Sequence, residues 1–181
     1  SLPLEKAVVI SLAPNSDPIA NFTATVTNLS VTLASTSTDP DGDALTYSWL
    51  IDDVVVSTEQ LDTYTFTTSG TKKVELVVTD SRAGTDSKVE NIVIANLAPT
   101  ASFAISNVDG QVTFTDNSTD PENDALNYLW DFGDSNTSTI ASPVHNYASN
   151  GTYSVSLTVD DGTNSNTLVR DVEIVLPVNR A

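Results

Sequence analysis

Apolar and polar residues alternate one by one along much of this chain. Val74, Leu76 and Val78 fall on one side of an extended segment, while Lys73, Glu75 and Thr79 mostly face the other way. Further on, Tyr153, Val155, Leu157 and Val159 alternate with Ser154, Ser156 and Thr158. A period of two marks strands with one buried face. Thr, Ser and Val dominate these segments, and no stretch carries a helical period. Turn dipeptides at Asp41-Gly42, Ser69-Gly70, Asn150-Gly151 and Asp161-Gly162 punctuate the pattern. About seven short strands in roughly 80 residues is the spacing of an immunoglobulin-like β-sandwich, so the predicted fold class is all-β.

The pattern also repeats itself. The segment NSDPIANF at 15–22 returns as NLAPTASF at 96–103, an offset of 81 residues. At the same offset STDPDGDALTYSW (37–49) lies over STDPENDALNYLW (118–130), and SGTKKVELVVTD (69–80) over NGTYSVSLTVDD (150–161). One residue is lost afterwards, so 92–94 matches 172–174. Internal periodicity of this kind predicts two tandem copies of one domain, at 14–95 and 96–176, joined by a short linker from Ala95 to Ala98. Residues 1–13 then read as a linker or the end of a preceding domain, and 177–181 as a C-terminal tail. The chain opens on Ser and is expected to be a piece of a longer protein whose targeting signal lies elsewhere.

Charge narrows the partners. Of 181 residues, 24 are acidic and 7 basic, a formal net charge of −17. Both copies share it, with 12 acids and 4 bases in 14–95 and 11 and 1 in 96–176. Such a surface repels nucleic acid and anionic membranes, so neither is an expected partner, and a monomer is expected. No apolar run reaches the length of a membrane span, so no membrane insertion is expected. Cysteine is absent, leaving packing or metal to hold the domains together.

The block YLWDFGD (128–134) followed by SPVHNYASNGTYSVSLTVDD (142–161) resembles the signature of the polycystic kidney disease (PKD) domain, a W-D-F-G-D block followed by P-x-H-x-Y and G-x-Y-x-V. The acidic turn before the Trp and the N-x-x-P opening fit as well. In the first copy the W-D-F-G-D block has become WLIDD (49–53) and the His-Tyr block LDTYTF (61–66), so that copy is assigned mainly through its match to the second. The resemblance implies two antiparallel sheets per copy and a home in multimodular secreted or cell-surface bacterial proteins. There such modules serve beside proteases, chitinases and other polysaccharide-degrading enzymes as spacers, stabilisers or substrate-contacting accessories, and the related modules of bacterial collagenases bind calcium.

A recurring acidic set gives that implication residues. Asp39, Asp41 and Asp43 share one turn, and Asp80 follows the Val74-Leu76-Val78 strand; Asp120, Glu122, Asp124 and Asp161 stand at the matching places. Asn15 with Ser16, and Asn96 with the Leu97 backbone, complete an oxygen cage where the chain enters each sandwich. Calcium accepts six to eight oxygens at about 2.3–2.6 Å in loose geometry, which suits ligands from three loops. Two carboxylates about 6 Å apart repel by roughly 3 kcal/mol at an effective dielectric of about 20, so the crowd is costly without a cation. Carried over from the collagenase modules, the ligands are Asn15, Ser16, Asp39, Asp41 and Asp80, and in the second copy Asn96, Asp120, Glu122 and Asp161. Asp43 and Asp124 either join them or cap the turn. The alternative is a merely solvated Asp-Gly turn. No EF-hand is present, since counting Asp39 as loop position one puts Ala44 and Leu50 where that loop needs Gly and Glu.

Other motifs carry less. Asp131-Phe132-Gly133 spells a kinase magnesium motif but lacks every companion, and reads as a bend after the Trp130 strand. Trp49 and Trp130 are expected in the cores rather than as stacking platforms, as are Tyr147 and Tyr153; Tyr64 and Phe132 are the more exposed candidates for ligand contact. His145, the single histidine, is expected at a strand edge without a catalytic role. Five N-x-S/T sequons, at Asn21, Asn28, Asn117, Asn136 and Asn150, read as accidental. The expected function is a non-catalytic, calcium-binding, secreted or cell-surface spacer pair that rigidifies neighbouring domains of its parent protein. The alternative is an accessory module that targets an insoluble polysaccharide such as chitin, or collagen.

Overall fold

The computed structural model describes residues 13–177. The expectations placed on 1–12 and 178–181, most of the leading segment and of the tail, lie outside the described residues. Among these residues every regular element is a strand, and the strands pair antiparallel. No described helix is long and apolar enough to cross a membrane.

The chain divides into two compact units. In the first, β1 (Phe22–Thr27), β2 (Ser30–Ser35) and β5 (Leu61–Thr65) form a three-stranded sheet in the order β1-β2-β5. The strands β3 (Leu45–Ile51), β4 (Val54–Ser57), β6 (Gly70–Asp80) and β7 (Thr85–Ile94) form a four-stranded sheet ordered β4-β3-β6-β7. The second unit repeats the plan. One sheet is β12 (Val144–Asn146), β9 (Gln111–Asp116) and β8 (Phe103–Val108); the other is β11 (Thr137–Ser138), β10 (Asn127–Asp131), β13 (Gly151–Asp160) and β14 (Ser165–Ile174), in those orders. Two isolated bridges, Ile19 to Thr38 and Thr100 to Thr119, pin the incoming chain at the same place in each unit.

The alternation read from the sequence is the alternation that is buried. Val74, Leu76 and Val78 on β6, and Val155, Leu157 and Val159 on β13, are fully enclosed. Each core centres on a tryptophan in the strand next to them. Trp49 and Trp130 are both inaccessible to solvent. Trp49 meets Phe22 of the facing sheet edge-on at 5.1 Å, and Trp130 meets Phe103 in the same way at 5.0 Å. A buried indole N–H must find an acceptor. Trp49 Nε1 donates to the Glu59 carbonyl at 2.9 Å and Trp130 Nε1 to the Ile140 carbonyl at 3.0 Å, ten residues on in both cases. Neither ring is offered to a ligand.

Phe132 corrects an expectation. It is 3% exposed, not a surface aromatic, and joins a continuous run of rings in the second unit. It lies tilted against Phe114 at 5.3 Å and stacks on His145 at 4.1 Å; His145 meets Tyr147 edge-on, and Tyr147 packs on Tyr153. Gly133 makes this bend possible: its φ is +77°, and a Cβ there would lie 2.7 Å from the Ser154 carbonyl oxygen. His145 does sit on the edge strand β12, with Nε2 2.8 Å from Asp134 Oδ2. Despite the upward push of burial, the bonds from His145 and Asn136 hold the Asp134 carboxyl below its usual range. Replacing Phe132 with Ala should destabilise the second unit by about 3–5 kcal/mol in urea unfolding, the usual cost of emptying a buried aromatic site. A loss below about 1 kcal/mol would restore Phe132 as a surface residue.

Candidate metal centre

The same constellation is built twice, with its main bonds in common. It starts in the acidic turn before the tryptophan strand. Asp39 Oδ1 accepts the backbone N–H of Asp41 at 2.8 Å and of Asp43 at 3.0 Å; Asp120 Oδ1 accepts those of Glu122 at 2.9 Å and Asp124 at 3.0 Å. An Asp at the head of a turn commonly folds the turn over its own side chain. Each turn then passes through a left-handed residue, Gly42 (φ 78°) in one and Asn123 (φ 61°) in the other, the residue types that tolerate it. Asp39 and Asp120 therefore cap the turns, and not Asp43 or Asp124.

A second carboxylate fixes the far side. Asp80, the last residue of β6, uses Oδ1 to accept the N–H groups of Arg82 and Gly84. Its Oδ2 takes the side-chain amide of Asn15 at 2.9 Å. Asp161, just past β13, does the same with the N–H groups of Thr163 and Asn164 and with the amide of Asn96 at 3.0 Å. The incoming chain also reaches the acidic turn: Ser16 N donates to Asp41 Oδ2 at 2.7 Å, and Leu97 N to Glu122 Oε1 at 2.9 Å. So Asn15, Ser16, Asp39, Asp41 and Asp80 form one network, with Asp43 linked to it through Ser81 and Arg82. Asn96, Leu97, Asp120, Glu122 and Asp161 form the other, with Asp124 exposed at its rim. Leu97 enters through its backbone, its N–H holding Glu122 and its carbonyl accepting the Asn96 side-chain amide at 3.2 Å.

Four carboxylate oxygens are left without hydrogen-bond donors. Asp39 Oδ2, Asp43 Oδ2, Asp120 Oδ2 and Glu122 Oε2 are buried and accept no hydrogen bond. Glu122 as a whole is only 5% exposed. Buried carboxylate oxygens without donors are expensive, and charged ones call for a cation. One oxygen each from Asp39, Asp41 and Asp43 lies within 4.8 Å of the others. That is about the diameter of a calcium coordination shell, roughly twice a bond of about 2.4 Å. The donor set is all oxygen, as a hard cation requires, with no sulfur or imidazole at hand. The residues of the first cluster fit calcium, and the second shares its all-oxygen chemistry and its donor-free buried oxygens.

Two members of the first site were not legible beforehand. A Cβ on Gly84 would lie 2.5 Å from Asp80 Oδ2, 2.8 Å from Asp17 Oδ1 and 2.9 Å from Asn15 Nδ2. Asp17 is thus part of the crowd, and Gly84 is what lets it gather. The second copy has Ala98 where the first has Asp17, so a comparison of the copies passes over it.

These sheets and their loops define immunoglobulin-like sandwiches with an acidic clasp on the incoming chain. The family comparison is specific: residues 13–95 and 96–175 each match the PKD domain, and the chain belongs to the PKD domain family. Over 76 residues it is 43% identical to a microbial collagenase of Vibrio alginolyticus, covering 40% of this chain and 9% of that protein. Over 92 residues it is 37% identical to the pre-pro-metalloprotease PrtV of Vibrio cholerae, covering 50% of this chain and 10% of that protein. The matched segments are therefore about a tenth of those relatives. Among solved structures, the PKD1 domain of PrtV is 32% identical with a TM-score of 0.41, covering 44% of this chain and 98% of that one. The PKD1 domain of Vibrio anguillarum Epp is 29% identical with a TM-score of 0.42, covering 45% and 96%.

Both clasp carboxyls lie below the ordinary range, Asp80 chiefly through the Asn15 amide and Asp161 chiefly through the Asn164 N–H. A carboxyl held low in the folded state adds stability that is complete above its ordinary value near ~4 and is lost as pH falls through the lowered value. In chelator, the unfolding midpoint should be level from pH 7 to about 5 and fall below about 4. Changing Asp80 and Asp161 together to Asn should flatten that fall; an unchanged acid slope would show that the clasp carboxyls do not carry it.

Proposed function

We propose that this chain is a non-catalytic pair of PKD modules from a secreted or cell-surface bacterial protein, each stabilised by calcium at the end where the chain enters, that spaces and steadies neighbouring domains. The observation that carries the reading is the doubled clasp with its four buried, donor-free carboxylate oxygens. Bound calcium would supply positive charge to oxygens that the protein leaves unmatched. The residues do the rest. Asn15 and Ser16 tie the incoming segment to β6 and the acidic turn, and Asn96 and Leu97 tie the linker to Asp161 and Glu122. A linker held in this way has less freedom to hinge, which suits a spacer. The similarity to small parts of a collagenase and a metalloprotease supports an accessory role beside a catalytic domain. The rival role, anchoring to chitin-like polysaccharide or collagen, gains little support, because both tryptophans and Phe132 are buried.

Millimolar calcium should raise the unfolding midpoint by about 10 °C over chelator, as expected for a ligand at about a hundred times its Kd. Small-angle scattering should show a narrower distribution of dimensions with calcium. Gly84→Ala should abolish the first site alone, by forcing Asn15, Asp17 and Asp80 apart while leaving the core intact. Identical midpoints and scattering profiles with calcium and with chelator would sink the proposal.

A further inference from the structure

The two clusters also differ in where positive charge sits. In the first unit the turn after β6 carries Arg82, whose guanidinium donates to the Ala13 carbonyl at 2.7 Å and stands 3.9 Å from Asp43 Oδ2. Asp43 Oδ2 is one of the buried oxygens without a hydrogen bond. The same positive charge also acts on Asp80. In the second unit the matching turn is one residue shorter, and the tie to the incoming chain is neutral: Asn164 Nδ2 donates to the Asn96 carbonyl at 3.3 Å. Arg170, the basic residue among the described part of that unit, is engaged elsewhere, on the Phe103 carbonyl and ring. Among the described residues, no basic side chain forms an ion pair with Asp120 or Glu122.

We infer that Arg82 is a built-in counter-cation of the first cluster, which lets that unit hold together when divalent cation is scarce at the expense of weaker calcium binding when it is plentiful. The inference rests on calcium as the ion of both clusters. Formal charge alone does not separate them: five acids (Asp17, Asp39, Asp41, Asp43, Asp80) with Arg82 sum to −4, and Asp120, Glu122, Asp124 and Asp161 also sum to −4. The difference is where positive charge sits. A guanidinium beside Asp43 offsets part of the repulsion before any ion binds, and repels a divalent ion that approaches the same oxygens. It is planar, permanently charged and bound through a second contact, so it cannot step aside by losing its proton. The second cluster has only an amide in its place and has no such stand-in.

The test uses the full chain with two substitutions that separate charge from hydrogen bonding. Arg82→Gln keeps a donor for the Ala13 carbonyl, as Asn164 does for Asn96, and removes the charge; Arg82→Lys keeps the charge. Calcium titration by calorimetry, with Asp161→Asn silencing the second site, should show first-site Kd falling roughly three- to tenfold in Arg82→Gln and near the parent value in Arg82→Lys. The gain should shrink at about 0.5 M salt. In chelator, without the Asp161 change, Arg82→Gln should unfold at a lower temperature than Arg82→Lys. An unchanged or weaker Kd in Arg82→Gln, or equal midpoints of the two variants in chelator, overturns the role of Arg82 while leaving two calcium sites standing. A parent chain that binds no calcium overturns the calcium reading itself, and the role of Arg82 with it.

Discussion

Each sandwich is closed at one end by a carboxylate whose two oxygens serve different parts of the chain. Asp80 and Asp161 each fold the following turn around one oxygen and seize the side-chain amide of the incoming segment with the other. Much of the local architecture follows from this. It holds the incoming segment in place beside the acidic turn, to which Ser16 and Leu97 are bonded, and helps concentrate negative charge in a small volume. Without cysteine, the chain has no covalent means of holding that end shut. The charge that makes the clasp strong is the same charge that must be compensated.

Much of the fold could be read from the sequence because its signals were local. Strict alternation around Leu76 and Leu157 placed β6 and β13 in the cores, and the repeat carried that reading from one copy to the other. At Phe132 the turn signal of Gly133 points to an exposed bend, whereas parity points to the core. Phe132 lies two residues beyond Trp130, on the same side, and the alternation of faces continues past the last ladder pair at Asp131. The acidic set was recognised as a group, but its division of labour was not. Hydrogen bonding in such turns runs forward from the first acid, so Asp39 and Asp120 shape the loop and the later acids are released from that duty. Asp17 and Arg82 escaped because pairing the copies keeps what they share and discards what only one of them has.

The two units have also parted in how they fill the same space. Where the second runs Phe132, His145, Tyr147 and Tyr153 together as touching rings, the first has Ile51, Tyr64, Phe66 and Lys72 at the matching positions. The tryptophan and its carbonyl acceptor are kept, so the geometry of the core survives a change in its chemistry. Cores accept such exchanges when volume and patterning are preserved. The loops are less tolerant, since each donor in them answers to a particular acceptor.

The capping bonds of Asp39 and Asp120 bear on speed as well as on shape. A loop whose backbone N–H groups are already satisfied from within is ordered when the domain folds, not when a ligand arrives. Under the proposed calcium binding, a cation would find its oxygens in position and exchange water for carboxylate without waiting for the chain to rearrange. Association would then depend on dehydration of the ion and on its attraction to an acidic surface, with no folding step in between.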